Sequence, residues 1–202
     1  MEKEKIYCFD FDGTLTKKDT LIEFIKYTKG TTRFLMGFLL YSPLLVLMKL
    51  HLADNGKVKE RVFRHFFDGM GLDEFDRLCR DFAATHLDLL RPQGIKRVSE
   101  CLAQGDRVIV MSASIDNWVK PFFSQPGLEG VEVEGTRIEV VDGKVTGRFT
   151  TPNCYGAEKV NRLRQAVGDS PCEEAYGDSR GDRELLAYAR KGIYKPFREQ
   201  ET

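Results

Sequence analysis

Asp10 and Asp12 stand two residues apart at the end of the apolar run Ile6-Tyr7-Cys8-Phe9, and Gly13-Thr14 turns the chain directly after them. Side chains at i and i+2 of a strand share a face. Both carboxylates therefore project from the point where a strand opens into a loop. Two like charges held so close are costly unless a cation or a reacting group makes use of them. The pattern predicts a nucleophile and a metal ligand arranged together. Polar residues gather at comparable places further on: Ser112 and Ser114 after Arg107-Val108-Ile109-Val110-Met111, and Asp178 and Asp182 after Glu174-Ala175-Tyr176-Gly177.

The elements that must position these residues alternate. From Pro92 onward the spacing predicts a helix over 93–104, a strand over 107–111 and a helix over 115–124. Strands follow over 131–133 and 137–141, and Asp142-Gly143 is a hairpin signal with the chain returning over 145–149. A helix over 158–167, a strand over 174–176 and a helix over 183–190 complete the series. This predicts an α/β fold: a Rossmann-like, mainly parallel sheet flanked by helices, with its chemistry beyond the carboxyl ends of the strands. Residues 16–90 break the rhythm, with helical stretches over 20–29, 32–52, 56–67 and 72–87 and no good strand. They read as an all-helical cap inserted after the first strand, leaving 1–15 and 91–202 as the catalytic core. A block in that position suits a lid over the active-site edge.

Composition narrows the partners. The 202 residues are 42% apolar, enough for one full core and a modest extra lobe. Lys+Arg and Asp+Glu both number 31, so nothing electrostatic points to nucleic acid. Cys8, Cys79, Cys101, Cys154 and Cys172 form no CxxC pair, which predicts a reduced, cytoplasmic protein. Met1 to Lys5 run straight into a strand, which predicts no signal peptide. His51, His65 and His86 lack a partner motif and read as surface or packing residues.

Taken together, the motifs resemble those of the haloacid dehalogenase superfamily of phosphohydrolases. Asp10-Phe11-Asp12-Gly13-Thr14 matches its first motif, Ser112 its second, Lys159 at a helix start its third, and Gly177-Asp178-Ser179-Arg180-Gly181-Asp182 its fourth. The resemblance implies Asp10 as a nucleophile forming an aspartyl-phosphate, and Asp12 as the acid that protonates the leaving alkoxide and then the base that activates water. It implies Mg²⁺ held by Asp10, the Asp12 backbone carbonyl and Asp178, with Asp182 bound directly or through water. Gly13, Thr14, Ser112, the Ala113 amide and Lys159 would hold the phosphoryl oxygens. Read singly, the residues have plainer roles: the Asp10–Asp12 pair and Asp182 as caps, Ser112 as a helix N-cap, Lys159 as a solvated charge. Asp12 favours phosphate esters over haloacids, because the dehalogenating members need no proton donor there and no Mg²⁺. An inactive phosphate- or metal-binding module is the non-enzymatic rival, but no motif residue is missing.

The insertion resembles the cap of subfamily IB, which contains the phosphoserine phosphatases. Glu23, Arg61 and Arg64 are candidates for the amine- and carboxylate-binding pair of those enzymes, at a different spacing. Residues 34–48 carry no charge, contain Pro43, and are flanked by Lys26, Lys29, Arg33, Lys49 and Lys57. Three readings stand: two short helices packed within the cap, a membrane-surface hairpin with basic flanks, or a span. The run also resembles a hydrophobic segment of the dehalogenase-type phosphatidylglycerophosphatases. It implies a lipid or other amphiphilic phosphate as substrate and peripheral membrane contact through 34–48. A small soluble phosphate such as phosphoserine is the alternative.

Overall fold

The strand that ends at Asp10 lies in the middle of the sheet. The computed structural model of the protein describes residues 4–50, 52 and 54–198, the side chains of Met48 and Lys49 excepted; His51 lies outside them. Strand β1 (Ile6–Phe9) pairs in parallel with β2 (Arg107–Ile115) on one side and β6 (Glu174–Gly177) on the other. With β3 (Val131–Thr136) and β7 (Lys191–Tyr194) the order is β3-β2-β1-β6-β7, all parallel. Parallel sheets are covered on both faces, hence the near-continuous apolar runs. Tyr7, Phe9, Val108 and Val110 face one core, and Cys8, Ile109, Met111 and Ala175 face the other. Helix α4 (Pro92–Ala103) brings Val98 and Cys101 to the first core, while α6 (Ala157–Val167) and α7 (Arg183–Tyr188) bring Leu163 and Leu185 to the second.

Two elements depart from their sequence pattern. Strand β2 runs past its expected end at Met111, because its register against β3 shifts between Met111 and Ile115. Ser112 and Ser114 thus sit on a bulged strand, and the N-cap role for Ser112 does not arise. The helix expected over 115–124 shortens to α5 (Asp116–Val119) and a tight turn at Lys120–Phe123. At the other edge, the helix expected to reach Arg190 stops at Tyr188 and the chain re-enters the sheet as β7.

The insertion comprises α1 (Thr20–Lys49), α2 (Asn55–Phe67) and α3 (Leu72–Thr85). Its two ends are stapled where Lys17 N donates to Leu89 O and Arg91 N to Leu15 O, both at 2.8 Å. Phe24, Phe63, Phe67, Phe75 and Phe82 pack with Trp118 of α5 into one aromatic core that fixes the helices over the sheet edge. The insertion is helical, as its pattern predicts, but a hairpin from the core segment joins its layer. The hairpin of β4 (Ile138–Val141) and β5 (Lys144–Phe149) forms its own two-stranded sheet and docks on α2. Gly69 N donates to Val145 O at 2.8 Å and Val145 N to Met70 O at 2.9 Å, so the α2–α3 turn satisfies a hairpin edge.

Helix α1 is broken at Gly30 (φ 77, ψ 157) but not at Pro43. A proline inside a helix leaves the carbonyl four residues earlier without its donor. Here that carbonyl is Leu39 O, and the Ser42 hydroxyl donates to it at 2.8 Å. The expected interruption at Pro43 is therefore absent.

Candidate active site

Asp10 continues the pairing of β1, its amide donating to Tyr176 O at 2.8 Å. The chain then makes a wide turn over Phe11–Leu15, closed by Thr16 N on Phe11 O at 3.0 Å. Gly13 holds φ 83, and a Cβ there would lie 2.4 Å from Asp178 Oδ2, so only glycine fits. This turn presses the first loop against the Asp178 carboxylate. The Gly13 amide donates to Thr16 Oγ1 at 3.1 Å, and the Thr14 hydroxyl to Asp10 Oδ2 at 2.9 Å.

Lys159 joins the two acidic motifs. It sits in the first turn of α6, which Gly156 N ties to the loop after β6 through Gly181 O at 2.8 Å. Its ammonium donates to Asp10 Oδ1 and Asp182 Oδ1, both at 2.6 Å, and its side chain is 2% exposed. The plainer reading of Lys159 as a solvated charge does not hold. Asp182 Oδ2 accepts from Ser179 N at 2.9 Å and Ser179 Oγ at 2.8 Å, so it caps the turn and anchors Lys159 at once. Asp10, Asp178 and Asp182 each offer an oxygen within 4.8 Å of the others. Asp178 Oδ2 also accepts from Arg198 Nη2 at 2.9 Å.

Burial sets the charge states of this cluster. Burial alone would lower the Lys159 ammonium, but Asp10 and Asp182 more than offset it and hold it above the ordinary lysine value. Burial works against Asp182 too, yet Lys159 and the Ser179 donors bring it below the usual carboxylate value. Asp178 is raised by burial and by the neighbouring Asp182 charge. Asp10 is pushed up to about 7 by burial, against the pull of Lys159. Lys159 thus serves Asp10 and Asp182 alike, at 2.6 Å from each.

Asp12 faces a different set of groups. Its Oδ1 accepts from Thr20 N at 2.7 Å and Thr20 Oγ1 at 2.6 Å, and its Oδ2 from Ser114 Oγ at 2.6 Å and Ser112 Oγ at 3.4 Å. Ser112 Oγ in turn accepts from Ser114 N at 3.0 Å. Trp118 Nε1 donates to Thr20 Oγ1 at 3.1 Å, so the aromatic core fixes the hydroxyl that fixes Asp12. Sequence reasoning missed Thr20 and Trp118, since no spacing marks residues nearly a hundred positions apart as partners. Lys59 of α2 was missed as well; it lines a small cleft with Ala113, Ser114 and Trp118. The cap candidates do not assemble. Glu23 pairs with Lys26 at 3.0 Å, while Arg61 and Arg64 are exposed. His65 stacks edge-on against Phe66 and His86 packs on Phe82, as packing residues do.

Residues 8–187 match the family model of the haloacid dehalogenase-like hydrolases. The chain belongs to that family. This hydrolase is 36% identical over 196 residues to Protein CicA of Caulobacter vibrioides, covering 96% of the chain and 86% of that protein. A crystal structure of a protein of unknown function from Bordetella pertussis Tohama I shares its fold, with a TM-score of 0.78 at 20% identity over 95% of this chain and 90% of that one. A phospho-aspartyl intermediate analogue of phosphoserine phosphatase superposes with a TM-score of 0.63 at 17% identity, over 96% and 87% of the two chains. At such identities the likeness of this hydrolase to either structure is one of fold.

Proposed function

We propose that this hydrolase is a Mg²⁺-dependent phosphomonoesterase that works through an aspartyl-phosphate at Asp10. The observation that carries the reading is the cluster of Asp10, Asp178 and Asp182 around Lys159. Three carboxylates and one enclosed ammonium leave net negative charge in a buried site, and hard oxygen donors suit Mg²⁺. When bound, the ion would neutralise negative charge on the nucleophile and the transferring group. Lys159 would steady the same oxygens. Asp10 attacks phosphorus, and the bond to the leaving oxygen breaks. Asp12 Oδ2, the oxygen facing the Ser112 and Ser114 hydroxyls, would carry the proton for that oxygen, because hydroxyls can turn from donor to acceptor. The same oxygen then takes a proton from the water that cleaves the acyl phosphate. The solved phospho-aspartyl analogue in a fold neighbour accords with this route.

For the substrate, we favour an amphiphilic phosphate. Glu23, Arg61 and Arg64 do not form an amine- and carboxylate-binding pair, which counts against phosphoserine. Instead, an apolar cavity of about 130 Å³ opens between α1 and α2, lined by Phe34, Phe38, Tyr41, Leu45, Val62 and Lys59. Lys59 also lines the cleft at Ala113 and Ser114, so the two spaces share a wall.

Two experiments test the chemistry. Hydrolysis of an aryl phosphate should stop in excess chelator and return with Mg²⁺; undiminished activity in chelator removes the metal from the reading. Asp12→Asn should slow alkyl phosphate cleavage by on the order of 10²–10⁴-fold, with a smaller loss in the first step for a nitrophenyl ester, whose leaving group needs no proton. With that ester the phosphoenzyme should accumulate in the variant and survive an acid quench. Failure to trap it with any substrate counts against the covalent route.

A further inference from the structure

The outer face of α1 has no partner among the described residues. Leu35, Met36, Leu39, Leu40, Val46 and Leu47 are 41–75% exposed. Their spacing (i, i+1, i+4, i+5) places them on one side of the helix, together with exposed Pro43. No polar side chain interrupts this stripe, which runs ~18 Å at 1.5 Å per residue. An 18-residue apolar window of Thr20–Leu47 has a mean hydropathy of 1.3 and is only 6% buried, so this stretch of α1, unlike the Phe24 turn, is not core. The reading of 34–48 as two helices packed within the cap is thereby overturned for this face. Contiguous exposed apolar surface of this kind calls for a partner.

We infer that this stripe seats the protein on an anionic lipid surface. Charge selects that occupant. Between Glu23 and Asp54 the sequence has no Asp or Glu, while Lys26, Lys29, Arg33 and Lys49 are all cationic. Lys26 is engaged by Glu23, but Arg33 is exposed and borders the apolar face. Lys29 lies over the Phe67 ring on the α2 side, so the cation at the border of the stripe is Arg33. An apolar stripe bordered by a cation, in a stretch of chain without an acid, matches the acyl boundary beneath anionic headgroups. A second copy seated on the same face would bring a second Arg33 to the contact with no acid of this stretch to meet it, which opposes that pairing. The opposite side of the helix decides between lying on the bilayer and crossing it. Phe34, Phe38, Tyr41 and Leu45 line the α2 cavity, and Gly37 sits so close that a Cβ would lie 2.3 Å from the Phe66 ring. A span would have to strip that face from α2, so the helix lies in the interfacial plane. This inference stands apart from the phosphatase reading, although it would set the amphiphile cavity beside the membrane.

Co-sedimentation with vesicles tests it. The protein should pellet with phosphatidylcholine vesicles containing a minor fraction of phosphatidylglycerol, and less with phosphatidylcholine alone. L39S/L40S should weaken that binding by about tenfold or more, since each leucine loses a full apolar transfer. R33E should weaken it roughly fivefold to tenfold on the anionic vesicles only. All three side chains are exposed, so melting temperature and aryl phosphatase activity without vesicles should stay at wild-type values; that activity reports separately on the catalytic reading. No pelleting with either vesicle, or equal binding by L39S/L40S, overturns the inference. So does a dimer in analytical ultracentrifugation that L39S/L40S dissociates while no vesicle is bound, which would assign the stripe to a second copy.

Discussion

Asp10→Asn should lower turnover by on the order of 10⁴–10⁶-fold, the scale seen when a covalent nucleophile is removed. An amide oxygen does not attack phosphorus, and nothing else on the loop replaces it. Thr14 approaches with a hydroxyl that already donates to Asp10 at 2.9 Å, and Asp12 faces Thr20 and Ser114 instead. The fold should survive, because an asparagine oxygen still accepts from Lys159, which keeps Asp182 at 2.6 Å, and the Thr14 hydroxyl can turn to accept. Single-turnover kinetics beside a thermal melt separate the two effects. A variant that melts normally and turns over within tenfold of wild type would place the nucleophile elsewhere.

Lys159→Met should cost stability as well as activity. In the native protein one ammonium serves two carboxylates that are themselves buried. Removing one partner of a buried ion pair typically costs about 3–5 kcal/mol, because the remaining charges lie uncompensated in a poor solvent. For a chain of this size that is a melting temperature lower by on the order of 10 °C. Methionine fills most of the volume, so packing contributes little to the loss. If the cluster holds a divalent cation, Mg²⁺ should raise the melting temperature of the variant more than that of wild type, since it supplies the charge the lysine gave. A variant that melts with wild type, with or without Mg²⁺, would mean that the ion pair carries no weight in the fold.

The sequence by itself determined the local features of this protein. The apolar run before Asp10, the Gly13 turn and the Gly177–Asp182 loop are short-range signals, set by strand alternation, by the positive φ of Gly13 and by polar residues gathered where a strand ends. They were enough to mark Asp10, Asp12, Asp178 and Asp182 as candidates and to predict a parallel sheet, whereas Ser112 and Lys159 entered as site residues through the resemblance to the dehalogenase motifs. Tertiary structure decided the rest, because the forces involved act between distant parts of the chain. Lys159 on a helix looks solvated until β1 and the β6 loop close around it. Strand β7 is Lys-Gly-Ile-Tyr, a weak pattern that becomes a strand only by pairing with β6. The bulge between Met111 and Ile115 depends on pairing with β3, and within it Ser112 and Ser114 meet Asp12. Thr20 and Trp118 meet only when the cap core folds onto α5. The stripe on α1 makes the same point from the other direction. Composition showed that the segment is greasy, but only its packing against α2 decided which side is left bare, because a helix that is apolar all round has no preferred face until a neighbour covers one.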